Sequence, residues 1–234
     1  MPFQFKQFQI DDDGCTLKVG TDAVLLGAIA DCVPAKSILD IGTGSGIIAL
    51  MLAQRSRAGI DAIEIDEISF LKAKQNFSTS PWPERLTAIH GSFQGFSTLT
   101  NKTYDLIVSN PPFFSNSYKP SSESKQISKH NVALDFMELV SGVAKLLGQK
   151  GKFSLVLPYS EKENFIQIAK THNLSLNGIL DILPKNTKKP NRAILEFGKD
   201  KTSRQKTTSI FLRNPDNSYS EEYRQVTKDF HPFY

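Results

Sequence analysis

Short apolar runs alternate along the chain with longer segments whose apolar residues recur every third or fourth position. Ser37-Ile38-Leu39-Asp40-Ile41 and Gly59-Ile60-Asp61-Ala62-Ile63-Glu64 are the clearest of the short runs. Each is rich in β-branched residues and stops at a glycine or an acid, as strands buried on both faces do. The same form recurs at Leu86–His90, in a run from Tyr104 to Asn110, and at Phe153–Leu157, Leu176–Leu183 and Ala193–Phe197. Val24, Leu25, Ala28 and Ile29 predict a helix within residues 18–31, with Thr21 or Asp22 as its cap. Ile47–Ala53 opens another. Leu134, Met137, Val140, Ala144 and Leu147 predict a third over 133–147, stopped by Gly148, and residues 161–172 form a fourth. Strands alternating with helices imply a doubly wound parallel sheet, in which ligands bind outside the carboxyl ends of the strands. Gly42 to Gly46, Glu64, Ser92 and Asn110 then share one rim.

Three segments break the alternation. Phe3, Phe5 and Phe8 at the amino terminus suit an aromatic strap packed on the core. Residues 114–131 have no apolar period and follow Asn110 closely, so they are read as a substrate-binding loop carrying Lys119, Lys125 and Lys129. His130 at its end is read as a surface or helix-start residue. Residues 198–234 look like a polar tail containing Ile210-Phe211-Leu212. The expected organisation is a single domain over 1–234, with a cover segment and helix at 1–31, a core at 37–197 and the tail beyond. No internal repeat is evident.

At 234 residues, 39% hydrophobic and 22% charged, the composition is that of a soluble globular protein. Its apolar runs are too short to span a bilayer, and the first residues lack the apolar core of a signal peptide. Cys15 and Cys32 make neither a disulfide framework nor a metal site, so a cytoplasmic, metal-free protein is expected. The net charge of +4 is uneven. Residues 185–206 hold eight cations, Lys185, Lys188, Lys189 and Arg192 among them, against Glu196 and Asp200. That segment is +6 and the remainder −2, which suits either a phosphate backbone or a solvated lysine-rich loop.

Two stretches carry candidate chemistry. Gly42, Gly44 and Gly46 let the chain turn tightly from a strand into a helix whose free N–H groups and dipole face the turn. Ile47 stands where a dinucleotide fingerprint needs its third glycine, which argues against a nicotinamide enzyme. Glu64, at the tip of the next strand, can accept both hydroxyls of a ribose; Asp66 is the competitor, and Glu64 fits better between Ile63 and Ile65. The second stretch is Asn110-Pro111-Pro112-Phe113, immediately after a strand.

Together these stretches resemble the class I S-adenosylmethionine-dependent methyltransferases that use Asn-Pro-Pro-(Tyr/Phe) to methylate a planar nitrogen. Lys18-Val19-Gly20-Thr21-Asp22-Ala23-Val24-Leu25-Leu26-Gly27-Ala28 is similar to the amino-terminal segment of the bacterial tRNA1(Val) (adenine-N6)-methyltransferases. The resemblance implies a mostly parallel, seven-stranded Rossmann-like sheet, S-adenosyl-L-methionine as cofactor, and tRNA as partner. Its target would be the adenosine at position 37, beside the anticodon. Lys18, Gly20 and Thr21 would meet the methionine carboxylate. Asp40 would hold the glycine turn and reach the cofactor's ammonium directly or through water. Ile65, Ser92 and Phe93 would complete the cofactor site with Glu64 and Asn110. Relatives often place an acid at the Ser92 position, so the Phe93 backbone N–H is favoured over the Ser92 side chain for the adenine. Asn110, Pro111, Pro112 and Phe113 would hold the reacting base. The same motif also serves enzymes acting on a guanine N2 of ribosomal RNA, a DNA base or a protein glutamine amide, so the acceptor rests on the amino-terminal segment and the basic stretch. A non-catalytic RNA-binding scaffold would be expected to lack Asn110.

Overall fold

A computed structural model describes residues 2–111, 135–186, 188–200 and 205–232. The substrate-loop lysines Lys119, Lys125 and Lys129, together with Pro112, Phe113 and His130, lie outside the described residues.

The elements run β1 (Phe3–Gln4), β2 (Gln9–Ile10), α1 (Thr21–Ile29), β3 (Ser37–Ile41), α2 (Ile47–Arg55), β4 (Gly59–Glu64), α3 (Glu67–Ser78), β5 (Leu86–His90), α4 (Phe93–Leu99), β6 (Tyr104–Ser109), α5 (Phe136–Leu146), β7 (Leu147–Pro158), α6 (Lys162–Thr171), β8 (Ser175–Lys185), β9 (Arg192–Gly198), β10 (Lys206–Arg213) and α7 (Glu221–Thr227). β1 and β2 form a small antiparallel ribbon, and the other eight strands make one sheet in the order β10-β8-β9-β7-β6-β3-β4-β5. Only β9 runs against the rest.

Side-chain alternation divides the core between the two faces of this sheet. Ile38, Ile60, Ala62, Leu106 and Val108 face α1, α2 and part of α3. Leu39, Ile41, Ile63, Ile107 and Phe153 face α5 and α6. Successive residues of a strand point to opposite faces, so runs apolar at every position belong to strands covered on both sides.

The expected doubly wound sheet is present, with one correction to its extent. Eight strands, not seven, make up the main sheet, because the stretch read as a polar tail supplies β10 and α7. Ile210 is buried, and β10 pairs in parallel with β8. Tyr223, Val226, Thr227 and Phe230 recur at helical spacing, and Tyr223, Thr227 and Phe230 are buried. Phe230 also meets the amino-terminal strap, since its carbonyl accepts the Lys6 N–H at 2.8 Å. Phe5 and Phe8 stack with centroids 4.7 Å apart and are buried, as an aromatic strap requires, while Phe3 is exposed.

Candidate functional site

Strand order reverses between β3 and β6, and this is where open α/β sheets bind ligands. Ile41 is level with Ser109 on one side and with Ile63 on the other, and Glu64 is level with His90. Asn110, Gly42, Glu64 and His90 therefore stand side by side along one rim, about 4.8 Å apart from strand to strand. The Ser109 hydroxyl donates to the Ile41 carbonyl at 2.9 Å and ties the tips of β6 and β3 together. Asn110 is only partly buried and Pro111 is buried.

The turn between β3 and α2 is held from beneath. The N–H groups of Gly42 and Thr43 donate to the Ile63 carbonyl at 2.9 and 3.1 Å. Gly42, Gly44 and Gly46 have φ of 69°, 56° and 90°, in the left-handed region. A Cβ at Gly46 would lie 2.5 Å from Phe77 Cε1, so packing alone demands that glycine. A Cβ at Gly42 or Gly44 would meet no atom of the chain within 4 Å. Those two glycines thus leave open a backbone surface that a ligand could approach closely.

Glu64 is almost wholly buried, and its carboxylate is aimed by two backbone donors. Oε2 accepts the Gly44 N–H at 2.9 Å and Oε1 the Asp66 N–H at 2.8 Å. Each oxygen retains acceptor capacity for a hydroxyl. Asp66, the competing acid, instead caps α3 by accepting the Ser69 N–H at 2.9 Å. Ile65 presents an exposed apolar side chain beside this carboxylate. A buried charged residue aimed into the turn, an open glycine backbone and an apolar wall fit a ribose-bearing cofactor such as S-adenosylmethionine.

Asp40 supports the turn from within. It is completely buried, with Oδ2 accepting the Thr43 hydroxyl at 2.6 Å and Oδ1 without a partner among the described residues. It therefore makes no direct contact with the crevice, and its effect passes through the turn it supports. Burial raises its carboxyl to a pKa of about 7. The Thr43 hydroxyl opposes this rise, and Glu64 adds to it.

Ser92 is the N-cap of α4, its hydroxyl accepting the Gly95 N–H at 3.1 Å. The Phe93 ring is buried, and its N–H opens α4, where no intrahelical acceptor exists. The helix cap expected at Thr21 or Asp22 is supplied by Gly20 instead. Asp22 is used elsewhere, accepting Arg192 Nε at 2.9 Å. Lys18 is exposed and donates to the Asp12 carbonyl at 2.6 Å.

The basic stretch is split by the sheet. Lys185 ends β8 and Arg192 opens the antiparallel β9 opposite Pro158, so Lys185 to Arg192 lie at the Asn110 edge, with Lys188 and Lys189 exposed. Lys199 follows the far end of β9 and donates to the Leu147 carbonyl at 2.6 Å, while Lys206 begins β10. Both belong to the opposite edge. Arg192 is partly committed to Asp22, which leaves Lys188 and Lys189 as the more available cations.

This sheet order and this rim define a class I methyltransferase architecture. The family model for the methyltransferase small domain matches residues 16–171. A tRNA1(Val) (adenine(37)-N6)-methyltransferase of Christiangramia forsetii is 41% identical over 98% of this chain and 97% of its own length. The enzyme so named from Parabacteroides distasonis is 39% identical over 98% and 97%. Among solved structures, a predicted O-methyltransferase from Agrobacterium tumefaciens superposes with a TM-score of 0.68 at 15% identity, over 89% of this chain and 96% of that one, a likeness of fold. The chain belongs to the tRNA1(Val) (adenine-N6)-methyltransferase family.

Proposed function

We infer that the protein transfers a methyl group from S-adenosylmethionine to the N6 amino group of an adenosine in tRNA, at position 37 of tRNA1(Val). Near-full-length identity of about 40% to relatives bearing that name carries the reading. When bound, the cofactor supplies a methyl group on a sulfonium. The chain's part is to hold the two reactants in line and to make a flat amine nucleophilic.

The adenine N6 lone pair is delocalised into its ring. Acceptors at both amino hydrogens favour localising it as the new bond forms. We assign the Asn110 side-chain oxygen to one hydrogen and the Pro111 carbonyl to the other; the fixed φ of proline holds that carbonyl in place. Neither group is a strong base, so the proton leaves after transfer and not before. Phe113 stacks on the base, a contact worth roughly 1–3 kcal/mol. Glu64 takes the ribose hydroxyls, Ile65 flanks the adenine, and the Phe93 N–H meets its edge, with the Ser92 hydroxyl already engaged as a cap. Lys18, Gly20 and Thr21 meet the methionine carboxylate. Lys185, Lys188, Lys189 and Arg192, with Lys119, Lys125 and Lys129, contact the RNA backbone. An anticodon-loop adenosine is unpaired, so withdrawing it into such a site costs little.

The test is Asn110→Ala. Methyl transfer to tRNA should be abolished while the affinity for S-adenosylhomocysteine stays within a few-fold. Unchanged turnover would remove Asn110 from the mechanism. No helix among the described residues is long and apolar enough to cross a membrane. A cytoplasmic location is the setting in which the tRNA substrate is met.

A further inference from the structure

Asn76 lies in the last turn of α3, 4% exposed, and has no place in the chemistry above. Its amide is saturated by two different segments. Nδ2 donates to the Ser45 carbonyl at 2.8 Å and to the Asp11 carbonyl at 2.9 Å, while Oδ1 accepts the Asp11 N–H at 3.0 Å. Two donors and one acceptor are thus used within one side chain. Ser45 sits inside the glycine turn, next to the Gly44 whose N–H aims Glu64. Asp11 begins the segment that leads to α1. Beyond it Asp12 Oδ2 accepts the Val19 N–H at 2.8 Å, which sets the chain just before Gly20. Lys72, one turn earlier on α3, pairs with the Asp11 carboxylate of this amino-terminal segment.

We propose that Asn76 is a positioning residue that locks residues 11–20 to the glycine-rich turn, so that two walls of the cofactor pocket are held as one unit. The proposal rests on the reading that this turn holds the cofactor. Removing the amide strands three backbone groups, the buried Ser45 carbonyl and the part-buried N–H and carbonyl of Asp11, and the Ser45 carbonyl regains a partner only if the segments part and admit water. Asn76 therefore acts on cofactor binding without touching either substrate. Lys72 can loosen the amino-terminal segment alone.

The test compares Asn76→Ala and Lys72→Met with the parent enzyme by amide hydrogen exchange, by S-adenosylhomocysteine titration, and by tRNA KM at saturating cofactor. Asn76→Ala should speed exchange in residues 11–20 and 42–46 together. It should weaken S-adenosylhomocysteine at least about tenfold and leave the tRNA KM within about twofold. Lys72→Met should speed exchange in residues 11–20 only. Three results would each overturn the proposal: faster exchange in just one segment of Asn76→Ala, ligand affinity within twofold of the parent, or equally faster exchange throughout β3 and β6. Glu64→Gln serves as the separate control on the pocket itself. If it leaves S-adenosylhomocysteine binding unchanged, the cofactor reading fails, whatever Asn76 does.

Discussion

Replacing Asp40 by Asn should flatten the dependence of stability on pH. Asp40 is fully buried and its carboxyl is raised from 3.8 to about 7, chiefly by burial. The folded protein therefore holds this proton more tightly than the unfolded chain does. Asp40 contributes its full stability below pH 3.8, where both states are protonated. The contribution falls as pH rises through the interval up to about 7 and is level above it. Each unit is worth about 1.4 kcal/mol, so the group loses roughly 4 kcal/mol of stability between pH 4 and pH 8. Asparagine cannot ionise and keeps an oxygen for the Thr43 hydroxyl. Urea unfolding followed by the fluorescence of Trp82, the single tryptophan, gives the free energy at each pH. Relative to the parent, Asp40→Asn should gain stability from pH 4 to about pH 7 and level off above it. Parallel curves for the two proteins would refute the argument and would mean that Asp40 ionises in the fold as freely as in water.

Other perturbations have equally definite outcomes. Lys188→Glu with Lys189→Glu should weaken tRNA binding and flatten the slope of log affinity against log salt by about 2, one unit for each phosphate that the protein no longer neutralises. An unaltered slope would place the backbone contacts elsewhere. Gly46→Ala forces a side chain into left-handed φ and against the Phe77 ring. It should cost at least about 1–2 kcal/mol in urea unfolding, and a neutral result would contradict the packing of α3 on the turn. Phe230→Ala should destabilise by roughly 3–5 kcal/mol, because the carboxyl-terminal segment belongs to the core. A loss under about 1 kcal/mol would return that segment to the status of a loose tail.

What was legible in the sequence is what local pattern encodes. The central strands are apolar at nearly every position, and the placing of Gly42, Glu64 and Asn110 on one rim follows from the alternation of strands and helices. The carboxyl-terminal strand was obscure because β10 lies at the sheet edge. Lys206, Thr207, Thr208 and Ser209 are all exposed, and only Ile210 is buried. The spacing of Tyr223, Val226, Thr227 and Phe230 was the available signal for α7. The direction of β9 decided which lysines reach the rim, and no residue in the basic stretch declares that direction. Asp22 with Arg192, and Asn76 with Asp11 and Ser45, are partners far apart in sequence. Their side chains look like a helix cap, an RNA contact and an ordinary helix polar residue until the fold joins them. For Asp40 the place beside the turn was plain in the sequence, and its complete burial was not.

The most direct measurement is the identity of the methylated product. The enzyme is incubated with S-adenosylmethionine labelled in its methyl group and with tRNA from cells lacking the gene, and the RNA is digested to nucleosides. Label should appear in N6-methyladenosine, in tRNA1(Val) at position 37, and should vanish with Asn110→Ala. Label in any other nucleoside, or none in tRNA, would contradict the account.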